Sequence, residues 1–278
     1  MHAKLRDTVS DMVAFEAVTV EIADQVAIVT LNAPHKRNAL SRQLVADLLA
    51  AIDAVGASDA RVIVLTHAPP VFCAGADLKE RAAGPADSRP MAEVMSRLAT
   101  NRLPVIAAIT GAVRAGGLGL MAACDLIVVD ASIDFSFTEV RLGLVPAIIS
   151  EPILRRTSPS ALAAAYLTGE VFSAAEARSM GLVTHVANGA AAVWATVADL
   201  VNGILASEPE AVAATKSVLW NLGNLLAEER MPHVRALSDR FFNSPGGAEG
   251  MASFAQKRLP SWAAPTPWTP PRSGGDQQ

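Results

Sequence analysis

The chain has 278 residues and a formal net charge of −4, with 51% hydrophobic and 18% charged side chains. That is ample material for a core in one large domain or two small ones, and it gives no electrostatic case for nucleic acid or an acidic membrane surface. An anionic ligand would need a local site. Cys73 and Cys124, the only cysteines, lack the spacing of a disulfide framework or a zinc site and fit a reducing, cytoplasmic compartment. No apolar run approaches the ~20 residues of a spanning helix, and the N-terminal "MHAKLRDTVSDMV" is too charged for a signal peptide.

Residues 15–32 hold two apolar runs, "FEAVTVEI" and "VAIVTLN", joined by a tight turn at Ala23, Asp24 and Gln25, which predicts a strand pair. "APHKRNALS" is a turn, and Ser41 stands as the cap of an amphipathic helix to about residue 55, with Leu44, Leu48, Leu49 and Ile52 on one face. "RVIVLTH" is a buried strand, followed by the loop "APPVFCAGADLKE". A helix over residues 91–100 leads to the strand "PVIAAIT", then to a glycine-rich segment entering a helix that ends near Cys124. "LIVVDA" and "DFSF" are short strands; "SEPILRRT", "SPSALAAAYLTG", "SAAEARSMG" and the stretches 189–226 and 230–257 are helical. Strands alternating with helices, then helices alone, give an α/β layer with a helical C-terminal portion, without a repeat of fixed length. The tail from Pro260 carries five prolines and reads as a disordered or polyproline end, or as an arm on a neighbouring subunit through Trp262 and Trp268.

The segment "VRAGGLGLMAACD" poses a question, because glycine costs about 1 kcal/mol against alanine inside a helix. Gly116, Gly117 and Gly119 nevertheless stand at a helix start, directly after a strand and loop. The first N–H groups of a helix have no internal partner, and glycine removes the side chain that would keep a ligand from them. "FCAGADLKE" repeats the logic: a strand, then Ala74, Gly75 and Ala76, then a helix near Leu78. Two such loops after neighbouring strands can aim one amide each at a shared oxygen, an oxyanion hole worth about 3–4 kcal/mol per donor. Singly, each loop reads as a tight-packing junction first.

Other chemistries fit less well. Gly111 and Gly116 have phosphate-loop spacing, but Gly117 stands where the lysine belongs, and no dinucleotide fingerprint follows a strand. Ser136 near His185 or Asp134 has no nucleophile elbow, and His2, His35, His67, His185 and His233 are scattered without metal spacing. The apolar flanks of Cys73 and Cys124 point to packing.

Taken together, "FCAGADLKE", "PVIAAITGAVRAGGLGLMAACDLIVVD" and "FSFTEVRLGLVPAIIS" resemble the crotonase family, the enoyl-CoA hydratase/isomerase superfamily. The likeness spans about residues 15–262 and includes "HKRNALS", "LTGEVFSAAEARSMGLVTHV" and "EGMASFAQKRLPSW". It implies an α/β, crotonase-like ββα spiral. The resulting division is an N-terminal extension (1–14), a spiral core (15–200), a C-terminal helical trimerisation region (201–259) and a Pro-rich tail (260–278). The partners implied are an acyl-CoA thioester and further copies of the chain, as a homotrimer or dimer of trimers; CoA is part of the substrate, and neither a cofactor nor a metal is called for.

On matching positions the oxyanion amides belong to Ala76 and Gly116, and the resemblance makes Glu139 the acid–base group. Ala74, Ala76, Asp77, Leu78, Lys79, Gly116 and Gly117 become the substrate-binding set, and Phe254 and Lys257 match a segment that reaches the CoA adenosine. Lys79 also reads as a solvated helix-start charge, and Glu139 as a surface residue paired with Arg141. The sequence departs from the two-acid hydratase pattern at Gly119, where a second glutamate is expected, and in "AIISEPILRR", which replaces a glycine-rich turn. Glu139 alone suffices for double-bond isomerisation. The pattern also resembles the bacterial branch that includes methylglutaconyl-CoA hydratases, which favours hydration. A CoA-thioester binder without catalysis is a third reading.

Overall fold

The computed structural model describes residues 11–84, 87–263 and 266–271. It opens with an antiparallel meander, β1 (Asp11–Ala14), β2 (Val18–Ala23) and β3 (Val26–Leu31). Asp24 and Gln25 take φ values of 49° and 65° at the β2–β3 turn, the two successive left-handed residues that match a hairpin's twist. All of β1 is exposed and pairs with β2 at the sheet edge, so no burial pattern marks it in the sequence.

Ser41 Oγ accepts from Leu44 N–H at 3.2 Å and starts α1 (Arg42–Gly56). There follow β4 (Val62–His67), β5 (Val71–Cys73), α2 (Leu78–Ala82), α3 (Arg89–Ala99), β6 (Val105–Ile109), β7 (Ala112–Arg114), α4 (Gly116–Ala122), β8 (Leu126–Asp130) and β9 (Asp134–Ser136). A 3-10 turn, Glu139–Leu142, leads to α5 (Ala147–Leu154), α6 (Pro159–Thr168), β10 (Val171–Ser173), α7 (Ala174–Ser179) and β11 (His185–Ala187). The C-terminal helices are α8 (Ala190–Leu205), α9 (Pro209–Asn221), α10 (Ala227–Phe242) and α11 (Pro245–Ala255).

The order is that of a spiral. A seven-stranded sheet runs β1-β2-β3-β4-β6-β8-β11, with its strands parallel from β3 onward; a four-stranded sheet runs β10-β9-β7-β5. Each of β4, β6 and β8 is followed by a short strand in the second sheet and then by helix, so the chain passes three times through a ββα unit. Sequence patterning gives no strand at β5, β7, β10 or β11; three residues display little alternation, and of the strands this short only β9 is read from the sequence. The long helical stretch 189–226 and the stretch 230–257 are each broken, by Pro209 and Pro245 at first helical positions.

Both faces of the central strands β3, β4, β6 and β8 are buried, which is why they are uninterrupted apolar runs. Ala27, Val29, Ile63, Leu65, Ala107 and Ile109 face the main core, with α1, α3 and α4 against them; Ile28, Val62, Val64, Ile106, Ala108 and Val128 face a second core. That second core is covered by Val193, Val197, Val201 and Leu205, one face of α8, and by Trp268, which is 5% exposed. Asn202 accepts from Trp268 N–H at 2.7 Å and donates to its carbonyl at 3.1 Å, while Trp262 Nε1 donates to Ala206 O. The described part of the tail is therefore not a free end at Trp262 and Trp268. It seals its own subunit, because Trp268 finds there an apolar slot and an amide that satisfies both of its backbone groups. Residues 264–265 and 272–278 lie outside the described residues. No single described helix is long and apolar enough to cross a membrane.

Candidate active site

One buried amide organises the first loop. Asn38 is fully buried with φ of 50°; its Oδ1 accepts from Ala33 N–H at 2.8 Å, and its Nδ2 donates to Ala68 O at 2.9 Å and Val71 O at 2.7 Å. This ties "HKRNALS" to the β4–β5 connection. Ala74 N–H then donates to Arg37 O at 3.1 Å, Leu40 N–H to Gly75 O at 2.8 Å, and Gly75 N–H to Cys73 Sγ at 3.4 Å. Every polar hydrogen of residues 74 and 75 is thus directed into the scaffold, while Ala76 N–H has no acceptor among the described residues.

The second loop is set by strain. Ala115, the residue before α4, takes φ 46° and ψ −121°, a region that costs a residue bearing a Cβ about 1–3 kcal/mol. Its N–H is held by Ser136 O at 3.0 Å, and the turn releases Gly116 N–H without an acceptor among the described residues. The two loops meet. A Cβ built on Gly116 would lie 3.7 Å from Ala76 N, 2.9 Å from Leu40 Cδ1 and 3.6 Å from Met91 Sδ. A Cβ on Gly75 would lie 3.4 Å from Gly116 N. Both free donors therefore border one small space, with Leu40 and Met91 on its rim.

The other positions of the expected substrate-binding set divide. Gly117 serves packing: a Cβ there would lie 2.8 Å from Cys73 Cβ, so its bareness lets α4 approach β5. Asp77 caps α2, accepting from Lys79 N–H at 3.1 Å and Glu80 N–H at 3.2 Å, which holds its carboxyl below the usual range, with Lys36 at 3.5 Å assisting. Leu78 and Lys79 are exposed beside the loop. A cavity of about 370 Å³ adjoins the rim, lined by Leu40, Val45, Leu49, Arg81, Pro90 and Met91 among others.

Glu139 begins the 3-10 turn, half-buried, and its Oε2 is buried without a hydrogen-bond partner. Burial pushes its carboxyl above the usual carboxylate range. The surface pair with Arg141 does not form: Arg141 Nε donates to Thr168 O at 2.8 Å instead. Gly119 is filled in from outside, since a Cβ there would lie 2.5 Å from Ile149 Cγ2 and 2.7 Å from Met95 Cε. The place of the second carboxylate is an apolar contact between α4 and α5. Cys73 and Cys124 are buried, and burial pushes both thiols up to about 12.

Sequence reasoning misses Asn38, Ala115 and Ile149, all of which shape this site. Asn38 lies inside the quoted "HKRNALS", and an Asn in a tight turn is a signal for the left-handed region. Ala115 carries no such signal, because alanine at positive φ is the exception rather than the rule.

A family model described as enoyl-CoA hydratase/isomerase matches residues 21–265. The chain is 34% identical to an enoyl-CoA hydratase of Mycobacterium tuberculosis, EchA19, over 87% of this chain and 95% of that one. It is 31% identical to the mitochondrial methylglutaconyl-CoA hydratase of Mus musculus, over 85% of this chain and 79% of that one. The crystal structure of an enoyl-CoA hydratase/isomerase from Marinobacter aquaeolei superposes with a TM-score of 0.84 at 28% identity, covering 90% of this chain and all of the other. Sequence match, ββα spiral and paired loops agree: the chain belongs to the enoyl-CoA hydratase/isomerase family and is an enzyme of the crotonase superfamily.

Proposed function

We propose that this enzyme adds water across the 2,3 double bond of an enoyl-CoA. The Ala76 and Gly116 amides hold the thioester oxygen while it carries enolate charge, and Glu139 moves the protons. The carrying observation is that two acceptor-free amides border one space while a carboxyl with an unpartnered buried oxygen waits on the neighbouring turn. Charge develops on the thioester oxygen only as the new bond forms, so fixed donors there favour the transition state over the ground state. A base raised above the ordinary carboxylate range takes and returns a proton near neutral pH with little driving force lost either way.

The acyl group enters the cavity beside Leu40 and Met91, and exposed Leu78 and Lys79 lie along the CoA arm. The reaction so proposed calls for no metal or cofactor. The relative from Mus musculus, a methylglutaconyl-CoA hydratase, supports hydration as the reaction. The exposed apolar side chains of the C-terminal helices, Phe254 at 87% foremost, support a trimer or pair of trimers in which Phe254 and Lys257 meet a neighbour's CoA. A cytoplasmic location is part of this reading, supported by two buried cysteines that form no disulfide.

Double-bond isomerisation is the second reading, favoured by the Ile149 contact that leaves Glu139 as the one carboxylate identified at the site. Incubation of 2-enoyl-CoA and 3-enoyl-CoA panels in heavy-oxygen water separates the two. Hydration puts label into a 3-hydroxyacyl product and is lost in Glu139→Gln; double-bond migration without label establishes isomerisation instead.

A further inference from the structure

With Gly119 closed by Ile149, hydration still needs a second polar group to orient water, and the hydroxyls of Ser150 on α5 and Tyr166 on α6 supply a candidate. Tyr166, on α6, packs its ring on Phe137 with centroids 4.3 Å apart, two residues before Glu139. Burial pushes its phenol up, and the Glu139 charge adds to this, against the opposing hydrogen bond from Ser150. From α5, Ser150 Oγ lies 3.4 Å from Tyr166 Oη and 2.6 Å from Pro146 O. Ser150 donates in both contacts, its one proton shared between the short one to the carbonyl and the longer one to the phenol oxygen. Tyr166 Oη keeps a further lone pair as an acceptor. Glu139 Oε2, buried and unpartnered, is a second acceptor left open.

The charged groups on the adjoining elements are engaged elsewhere among the described residues. Arg141 is turned to Thr168 O, Glu151 of α5 pairs with Arg155 at 2.7 Å, and α4 presents no titratable side chain.

We propose that Tyr166, oriented by Ser150, binds the attacking water opposite Glu139 and does the work of the carboxylate missing at Gly119. The inference rests on the hydratase reading above. One water hydrogen points to Glu139 Oε2 and the other to Tyr166 Oη, which leaves an oxygen lone pair free for the β-carbon. As the C–O bond forms, Glu139 takes the first hydrogen as a proton and the C=C electron pair moves into the thioester enolate. Glu139 then delivers that proton to the α-carbon, and the enolate carbonyl re-forms. The second hydrogen stays on the product hydroxyl, and the phenol keeps its own proton.

The test separates water binding from enolate chemistry. Exchange of the α-proton of a saturated acyl-CoA in deuterium oxide needs only Glu139 and the two amides. Tyr166→Phe, which keeps the ring on Phe137, should lower hydration of a turned-over enoyl-CoA roughly 10- to 100-fold, the loss of one transition-state hydrogen bond, with α-exchange falling far less. Ser150→Ala, which leaves both rings in place, should produce a smaller loss with the same selectivity, and it decides the matter if Tyr166→Phe does not fold. Equal losses in both reactions, or no loss of hydration, would overturn the role of Tyr166 alone. Wild-type enzyme that exchanges α-protons but hydrates no enoyl-CoA would overturn the hydratase reading, and this inference with it.

Discussion

Gly75 and Ala115 are in contact across the site: a Cβ on Gly75 would lie 2.8 Å from Ala115 Cβ. Each has positive φ, 90° and 46°, and each immediately precedes one of the two acceptor-free amides. The direction of both donors is thus set by two abutting left-handed residues, the first of them in the loop that Asn38 clamps. Gly75→Ala forces a Cβ into an occupied place in a conformation it resists, and pushes the loops apart. The expected outcome is a fall in kcat/KM of about 10²–10³-fold, the value of one oxyanion donor. Steady-state kinetics alongside thermal unfolding checks this; wild-type turnover would contradict it.

Gly119 offers a different kind of test. Restoring the family's second carboxylate by Gly119→Glu drives a long side chain into Ile149 and Met95. Overpacking of this kind costs about 1–3 kcal/mol, so the variant should melt below wild type and gain no activity. Adding Ile149→Ala removes the nearest obstacle and should recover part of the lost Tm. A single variant as stable as wild type would show that the α4–α5 contact is looser than described.

Asn38 is expected to matter without touching substrate. Asn38→Ala strips partners from Ala33 N–H, Ala68 O and Val71 O. Buried groups left unpaired cost about 1–3 kcal/mol each before relaxation, so a loss of about 3 kcal/mol is expected in chemical denaturation. The loop holding Ala76 is released at the same time, and kcat should fall even where the protein remains folded. Full activity in the folded variant would mean that the Arg37 and Leu40 main-chain bonds hold the loop unaided.

The pH dependence follows from Glu139. Its ionised form is the base and burial opposes ionisation, so kcat/KM should rise with pH, its half-rise above the ordinary carboxylate range. Stability has the opposite sign. The folded-state pKa is raised above the unfolded one, so the contribution is complete below the unfolded value and is lost as pH rises through the folded value. Glu139→Gln cannot ionise; at neutral pH it should melt no lower than wild type although it is inactive. A markedly lower Tm would place Glu139 in an ion pair that the structure does not contain.

Much of this fold is written in local pattern. Runs such as "RVIVLTH" and "PVIAAIT" are buried on both faces and announce themselves, as does the Ser41 cap. What stays hidden depends on contacts between distant segments. The strands β5, β7, β10 and β11 exist because neighbours pair with them, and Trp268 is buried because Asn202, sixty-six positions earlier, receives it. At the site, the glycines point to the two loops. The strained turn at Ala115, the clamp of Asn38 and the Ile149 plug depend on tertiary geometry that no short window encodes.

The central claim is that Ala76 N–H and Gly116 N–H bind one oxygen. A crystal structure with a bound acyl-CoA tests it most directly. The thioester oxygen is predicted within about 2.7–3.1 Å of both nitrogens, with the β-carbon facing Glu139. A thioester oxygen bound to neither amide, in a fully occupied complex, would contradict the account.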